Sequence, residues 1–204
     1  MLTKNEFMVI DLFRRDLFRS YTIREMMKKI GKETYTWTFN TVKKLSKLGI
    51  ISIDEKGMSN ICRINLDSPL AMTYLSVLDE LEANSRNIPN VKELIEAVPL
   101  SFFTFIVTGS YAEGRQAKRS DIDIVVIVED SCDTRAVLNT LKNKSDIMIP
   151  EIHSYVFKKS EFLGMLLSRD MNYGKLLFQK RLIFIGAENY YLTIKEAIRS
   201  GFKG

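Results

Sequence analysis

Two aspartates separated by one residue, Asp121 and Asp123, stand at the start of an apolar run, and their spacing favours a metal site. The run Ile122–Val128 is typical of a buried strand. Side chains two residues apart on a strand point to the same face, so the two carboxylates would project together. Carboxylates this close repel each other unless a cation lies between them. Mg²⁺ prefers oxygen ligands and substrate phosphates, and a pair of such ions serves in-line phosphoryl or nucleotidyl transfer.

A glycine and a serine, Gly109 and Ser110, follow an earlier apolar run and are separated from Asp121 by ten residues. Glycine allows the backbone to approach a phosphate closely, and the N-terminus of a helix favours an anion. The serine hydroxyl adds a hydrogen-bond donor. This pattern predicts a phosphate-binding turn between two buried strands.

The Gly-Ser pair, the ten-residue interval and the Asp-x-Asp sequence together resemble the DNA polymerase beta nucleotidyltransferase superfamily, and in particular its minimal nucleotidyltransferases. The resemblance covers about residues 90–204. Its implied cofactor is divalent metal, with two Mg²⁺ ions expected and Mn²⁺ as the alternative. The resemblance implies nucleotide binding by Gly109, Ser110 and Ser120, and catalytic metal binding by Asp121 and Asp123.

The family also needs a third carboxylate on a neighbouring strand, bound to the catalytic metal and near the attacking hydroxyl. Glu151 is the first candidate, because it lies in the strand-like residues 147–157 at a suitable distance after the aspartate pair. Asp146 is the second candidate, although a turn is expected there. His153 would share a face with Glu151. It is either a neighbour of the metal site or, as is commoner for a lone histidine, structural.

The loop between the two halves of the motif departs from the family pattern. Many relatives carry basic residues near the positions of Tyr111 and Glu113, where this chain has an aromatic residue and an acid. Three basic residues of the loop remain as phosphate partners, with a solvated loop as the alternative. They are Arg115, Lys118 and Arg119.

The net charge of +5 is unevenly distributed along the chain. Residues 1–66 hold 13 Lys and Arg against 7 Asp and Glu, whereas residues 67–204 hold 17 against 18. A basic surface confined to one small domain is what binding to a phosphate backbone requires. A solvated basic surface without a partner is the alternative.

The first third of the chain reads as three helices and a hairpin. Apolar residues recur at helical spacing over residues 3–18, 22–30 and 34–48. Thr3 and Glu6 form a capping-box pattern at the first of these helices. After Gly49 the period changes to two, which predicts a short hairpin. In the third helix we expect Phe39, Val42, Leu45 and Leu48 to be buried.

This order of elements resembles the winged helix-turn-helix family. In that family the third helix enters the major groove of DNA and the hairpin, or wing, touches the backbone. The resemblance implies DNA binding by Thr36, Asn40, Lys43, Lys44 and Lys47. A winged domain used for protein contacts or dimerisation is the alternative, because fold does not fix function.

The sequence therefore predicts an α+β protein. A winged helix-turn-helix domain at residues 1–66 is expected to precede a linker helix at 67–88 and a nucleotidyltransferase domain at 89–204. The last domain would be a small mixed β-sheet packed with helices. Its strands are predicted at residues 102–107, 122–128, 147–157 and 182–185.

The sequence argues against a membrane protein, a secreted protein and a zinc protein. No apolar run has the roughly 18 residues of a membrane span, and no signal peptide is recognisable, so we expect a cytoplasmic protein without membrane contact. Cys62, Cys132 and His153 have no zinc-site spacing.

Two functions follow from these patterns. The first is an enzyme that moves a nucleoside monophosphate from an NTP, with ATP as the expected donor, to a hydroxyl acceptor and releases pyrophosphate. Three classes of acceptor are open: a protein such as a partner toxin, the end of a nucleic acid, or a small molecule. The second is a winged-helix transcriptional regulator whose second domain senses nucleotide or is inactive. A homodimer is compatible with either function.

Overall fold

The computed structural model describes residues 2–32, 34–56 and 59–204. It divides into two compact units, Met1–Leu78 and Asp79–Gly204. The boundary falls inside the fourth helix, α4 (Pro69–Ser85), which lies within the segment predicted as a linker helix.

The first unit contains three helices and a three-stranded antiparallel sheet. Its elements are α1 (Lys4–Arg15), β1 (Tyr21–Thr22), α2 (Ile23–Lys29), α3 (Tyr35–Lys47), β2 (Ile51–Lys56) and β3 (Ser59–Ile64). The strand order is β1-β3-β2. The three predicted helices and the hairpin are confirmed. The two-residue strand β1 carries no sequence signal, because it is too short to show a period.

Capping interactions fix the starts of the first two helices. The backbone N–H of Thr3 donates to the Glu6 carboxylate over 2.8 Å, as the capping-box pattern predicts. The backbone N–H of Thr22 donates to Glu25 over 2.7 Å, and the N–H of Glu25 donates back to the Thr22 hydroxyl over 3.2 Å. The local sequence therefore sets where α1 and α2 begin.

The buried face of α3 differs in part from the predicted one. Val42 and Leu45 are fully buried, and Phe39 is half-buried, but Leu48 is 43% exposed. Leu48 caps the C-terminus of α3, beyond its last regular turn. Thr38 and Thr41 lie on the buried face instead. The expectation for Leu48 was wrong, because the helix ends before its side chain can turn toward the core.

The second unit is a mixed four-stranded sheet packed with helices. After α4 it contains α5 (Val91–Ala97), β4 (Phe103–Thr108), α6 (Gly109–Ala112), β5 (Ile122–Val128), α7 (Thr134–Ser145), β6 (Ile152–Lys158), α8 (Lys159–Leu167), α9 (Tyr173–Gln179), β7 (Leu182–Ile185) and α10 (Ala187–Arg199). The strand order is β6-β5-β4-β7. β5 and β6 are parallel, and the other pairs are antiparallel.

The two central strands carry the core of the second unit. Phe105 and Val107 of β4 and Ile124 and Val126 of β5 are each less than 1% exposed. The intervening residues, such as Ile106 and Val125, are equally buried on the other face. Both faces of the sheet are therefore covered, as the continuous apolar runs indicate.

The strand predicted over residues 147–157 begins later than expected. β6 starts at Ile152, and the side chains of Ile147 and Ile149 are 91% and 88% exposed. Pro150 has no N–H to donate to a ladder, which opposes pairing just before Glu151. The Asn90 side chain donates to the backbone carbonyl of Ile149 over 3.0 Å, so this turn is held from α5.

None of the helices in the described part of the chain combines the length and apolarity that crossing a bilayer requires.

Candidate active site and nucleic-acid interface

Strand pairing brings the glycine of the motif against the second aspartate. Thr108, the last residue of β4, pairs with Asp123 of β5. The backbone then turns at Gly109, whose φ is +68°. A Cβ placed on Gly109 would lie 2.3 Å from an Asp123 carboxylate oxygen. Glycine at this position thus leaves room for the Asp123 carboxylate, in addition to the close approach to phosphate that the sequence pattern predicts.

The parallel pairing of β5 with β6 brings Glu151 to the aspartate pair. Asp123 pairs with His153, and the N–H of Ile122 donates to the Glu151 carbonyl over 2.9 Å. Glu151 therefore stands directly before β6, beside Asp121. One ligand atom from each of Asp121, Glu151 and His153 lies within 4.8 Å of the others.

His153 links this cluster to the second aspartate. Its Nδ1 lies 3.6 Å from an Asp123 carboxylate oxygen, and its Nε2 lies 3.5 Å from a Glu151 oxygen. Of the two readings that the sequence left open for His153, the geometry places the imidazole among the candidate ligands.

Electrostatics at Asp123 oppose its charged form. Burial raises the pKa of the Asp123 carboxyl, His153 lowers it, and the negative charge of Asp121 raises it further, with a net rise. A cation near these groups would favour the ionised carboxylate.

The donor set suits a divalent cation. Three carboxylates offer the oxygen ligands that Mg²⁺ and Mn²⁺ take, and the imidazole adds a nitrogen acceptable to Mn²⁺. Asp146, the second candidate for the third carboxylate, caps the C-terminus of α7. It is outside the group of convergent ligand atoms found among the described residues. The geometry therefore favours Glu151.

A cavity of about 510 Å³ opens beside Asp123. This volume lies within the range typical of small-molecule sites. Its walls combine the motif residues with part of α9 and the residue that follows it. The lining residues are Thr108, Gly109, Ser110, Glu113, Arg115, Asp123, Tyr173, Leu176 and Lys180.

An ion-pair system covers one wall of this cavity. Lys180 Nζ lies 2.6 Å from one Glu113 oxygen, and Arg115 donates to the other. The hydrogen bonds from Arg115 and Lys180 hold the pKa of Glu113 below its ordinary value. Arg115 is thus one predicted phosphate partner that reaches the cavity. Lys180 is a further candidate phosphate partner, which no local pattern indicates because it lies 70 residues after Ser110.

The other loop residues lie elsewhere. Tyr111 is 9% exposed and belongs to the hydrophobic core, so its aromatic character serves packing. The Ser120 hydroxyl accepts a hydrogen bond from the N–H of Ala117 over 2.8 Å and holds a turn of the loop. Ser120, Lys118 and Arg119 are not among the described residues that line the cavity.

Tyr173, the first residue of α9, forms an aromatic wall near Asp123. Its ring centroid lies 5.0 Å from that of Tyr155 and 5.9 Å from that of Phe157. Among the described residues, its buried hydroxyl has no hydrogen-bond partner. Burial and the charge of Asp123 raise the pKa of Tyr173, so its hydroxyl stays protonated.

The candidate DNA-binding residues of α3 are exposed. Thr36, Asn40, Lys43, Lys44 and Lys47 all face solvent. They are not equally available for contacts with DNA, because Lys44 Nζ lies 2.7 Å from the buried Glu6 carboxylate. Lys43 lies over the Phe39 ring, 5.9 Å from its centroid.

Comparison with known proteins bears on the second unit. Residues 91–182 match a family model described as a nucleotidyltransferase domain. This range contains the Gly-Ser pair, the two aspartates and Glu151. The match supports the relation to the DNA polymerase beta superfamily and suggests nucleotidyl transfer in general. No curated protein and no solved structure matches the chain.

Proposed function

We propose that this chain is a metal-dependent nucleotidyltransferase. It moves a nucleoside monophosphate from an NTP, with ATP as the expected donor, to a hydroxyl acceptor and releases pyrophosphate. The observation that carries this proposal is the group of ligand atoms from Asp121, Glu151 and His153. Asp123, which lines the cavity, lies 3.6 Å from this histidine. The family match over residues 91–182 supports the same reaction class.

The three carboxylates would hold the metal ions. When bound, Mg²⁺ or Mn²⁺ would neutralise charge on the phosphates and on the leaving pyrophosphate. Glu151 accepts the proton of the acceptor hydroxyl as its oxygen attacks the α-phosphorus. The bond from the α-phosphorus to the bridging oxygen then breaks, and pyrophosphate leaves with its electron pair.

The cavity wall would hold the triphosphate. Ser110 offers a hydroxyl donor, and Lys180 and Arg115 offer positive charge on the same cavity. Arg115 supplies a planar set of donors suited to phosphate oxygens, whereas Lys180 acts as a point charge. Ser120 could still donate its O–H to a phosphate, because its hydroxyl only accepts from the N–H of Ala117.

The reaction is tested by incubating the full chain with labelled NTPs, Mg²⁺ or Mn²⁺, and protein, nucleic-acid and small-molecule acceptors. We expect pyrophosphate and a labelled acceptor from the wild type, and neither from Asp121→Asn/Asp123→Asn. If the wild type produces no more pyrophosphate than the double variant with every acceptor, the proposal is wrong.

We further propose that the first unit is a winged helix-turn-helix domain that binds DNA. Support comes from the order helix, strand, helix, helix, hairpin and from the exposed basic residues of α3. These residues also favour a second candidate function, a transcriptional regulator whose second unit senses nucleotide. That function predicts nucleotide binding that alters DNA affinity without pyrophosphate release.

A further inference from the structure

One carboxylate in the nucleotide cavity lies where a negative ligand is expected. Glu113 lines the cavity together with Ser110, Arg115 and Lys180. Its two oxygens contact the two cations of the wall, one each. The side chain of Glu113 is only 23% exposed, whereas those of Lys180 and Arg115 are 46% and 70% exposed. The acid is therefore the inner member of the group.

A carboxylate and a phosphate present the same chemistry to a lysine or an arginine. Both are anions that accept charge-assisted hydrogen bonds. A triphosphate entering this cavity would meet cations already bound to Glu113, and it would also be repelled by the Glu113 charge. The repulsion grows with the charge of the ligand. Free nucleotide carries more negative charge than nucleotide complexed with a divalent cation, so repulsion by Glu113 lowers its affinity more.

We propose that Glu113 is a specificity-determining residue of the nucleotide cavity, which weakens the binding of free triphosphate more than the binding of an NTP complexed with a divalent metal. This inference rests on the proposed nucleotidyltransferase function. Glu113 acts as an internal anion that offsets one of the two positive charges of Lys180 and Arg115 until the phosphates of a ligand replace it.

The test compares ligand affinities of the full chain by isothermal titration calorimetry. The probes are ATP in excess EDTA, inorganic tripolyphosphate in excess EDTA, and ATP with Mg²⁺. Glu113→Gln keeps the shape of the side chain and removes its charge. We expect this variant to bind metal-free ATP and tripolyphosphate about tenfold more tightly than the wild type. Its affinity for ATP with Mg²⁺ should rise by a smaller factor.

Two further variants separate charge from changes in folding. Glu113→Gln/Lys180→Gln restores the net charge of the wall, so its affinity for free ATP should return to near the wild-type value. Glu188→Gln is the matched control, because Glu188 is exposed and follows Gly186, which packs against the backbone of Phe103. Phe103 and Thr108 are the two ends of β4, about 17 Å apart at strand spacing. Glu188→Gln should therefore leave all three affinities unchanged.

The outcomes are distinguishable. If Glu113→Gln binds free ATP no more tightly than the wild type, or gains equally for free and Mg²⁺-bound ATP, the role of Glu113 is refuted and the proposed function stands. If the wild type binds ATP in neither form, both fail. Unchanged circular dichroism and thermal unfolding show that each variant is folded.

Discussion

Gly109 lacks the side chain that any other residue would place against Asp123. The left-handed backbone at this position and the adjacent carboxylate are two separate reasons for glycine. The sequence motif reports the first as a turn. It cannot report the second, because the contact depends on the pairing of β4 with β5.

Gly109→Ala should destabilise the chain by roughly 1–2 kcal/mol through its backbone alone. The added methyl group should also displace the Asp123 carboxylate, so we expect Mn²⁺ affinity, measured by calorimetric titration, to fall at least about tenfold. Gly31→Ala is the matched control, since Gly31 has a φ of +65° and no atom within 4 Å of a Cβ. If both variants bind Mn²⁺ like the wild type, the contact has no role in the site.

Glu6 contributes a buried negative charge to the first unit. Burial opposes its ionisation, but the hydrogen bonds from Lys44 and Thr3 and the charge of Lys44 outweigh burial and lower its pKa below the ordinary 4.5. The folded state thus binds fewer protons here than the unfolded state. The resulting stability is complete above pH 4.5 and is lost as the pH falls through the lowered pKa.

Glu6→Gln should lower the stability of the first unit by about 1–2 kcal/mol at pH 7. The loss should shrink as the pH falls below 4.5, because the wild-type carboxylate also becomes neutral there. Urea unfolding at a series of pH values, followed by circular dichroism, measures both effects. A pH-independent difference between the two proteins would show that the cap geometry, and not the charge, matters.

At the scale of elements, α3 separates a buried face from a basic one. Thr38, Val42 and Leu45 are buried, whereas Lys43 and Lys47 are exposed. Lys44 is tied to Glu6, so its charge is partly neutralised within the unit. Lys43 and Lys47 are therefore the better candidates for phosphate contacts.

Lys43→Gln/Lys47→Gln should weaken binding of the full chain to duplex DNA and reduce the slope of log affinity against log salt by about 2. Lys44→Gln should have a smaller effect. Fluorescence anisotropy at several salt concentrations measures these slopes. The control is Lys92→Gln/Lys142→Gln, which removes two exposed charges from α5 and α7. Equal losses in both double variants would contradict a specific role for α3.

The strands formed by continuous apolar runs were the elements most predictable from the sequence. β5 and β7 have the predicted bounds, because buried strands are continuous apolar runs between polar breaks. Ile147 and Ile149 continue the apolar composition of the predicted strand but are exposed, since their burial depends on strand pairing and not on local pattern.

The candidate site was predictable only in part, for the same reason. The aspartate pair and Glu151 were visible as local patterns. Lys180 and Tyr173 were not, because only tertiary contacts bring them to the cavity. Tyr173 packs against Tyr155 and Phe157 of β6, and the Thr108 hydroxyl donates to the Lys180 carbonyl.

At the scale of the whole molecule, the proposed metal site would couple ligand binding to stability. Like charges gathered without a cation destabilise a fold, and a ligand that binds only the folded state stabilises it. Mg²⁺ or Mn²⁺ at about 100 times its dissociation constant should add about 2.7 kcal/mol to the second unit.

Thermal unfolding should therefore shift upward with Mn²⁺ in the wild type and not in Asp121→Asn/Asp123→Asn or Glu151→Gln. In EDTA the double variant should be more stable than the wild type, because it lacks the repulsion. Asp146→Asn is the control and should keep the full Mn²⁺ shift. If Asp146→Asn loses the Mn²⁺ shift and Glu151→Gln keeps it, the third carboxylate is Asp146 and not Glu151.

The parallel pairing of β5 and β6 also has a consequence for how the site comes into being. Glu151 reaches Asp121 only after the chain has crossed back through α7, a longer loop than a hairpin needs. Contacts between distant residues form slowly, because the loop must close before they are gained. A nascent chain that has emerged only through β5 holds the Gly-Ser pair and both aspartates but lacks their partner. We therefore predict that the proposed metal site is complete only after β6 has paired with β5, so that Mn²⁺ affinity would report completion of the sheet.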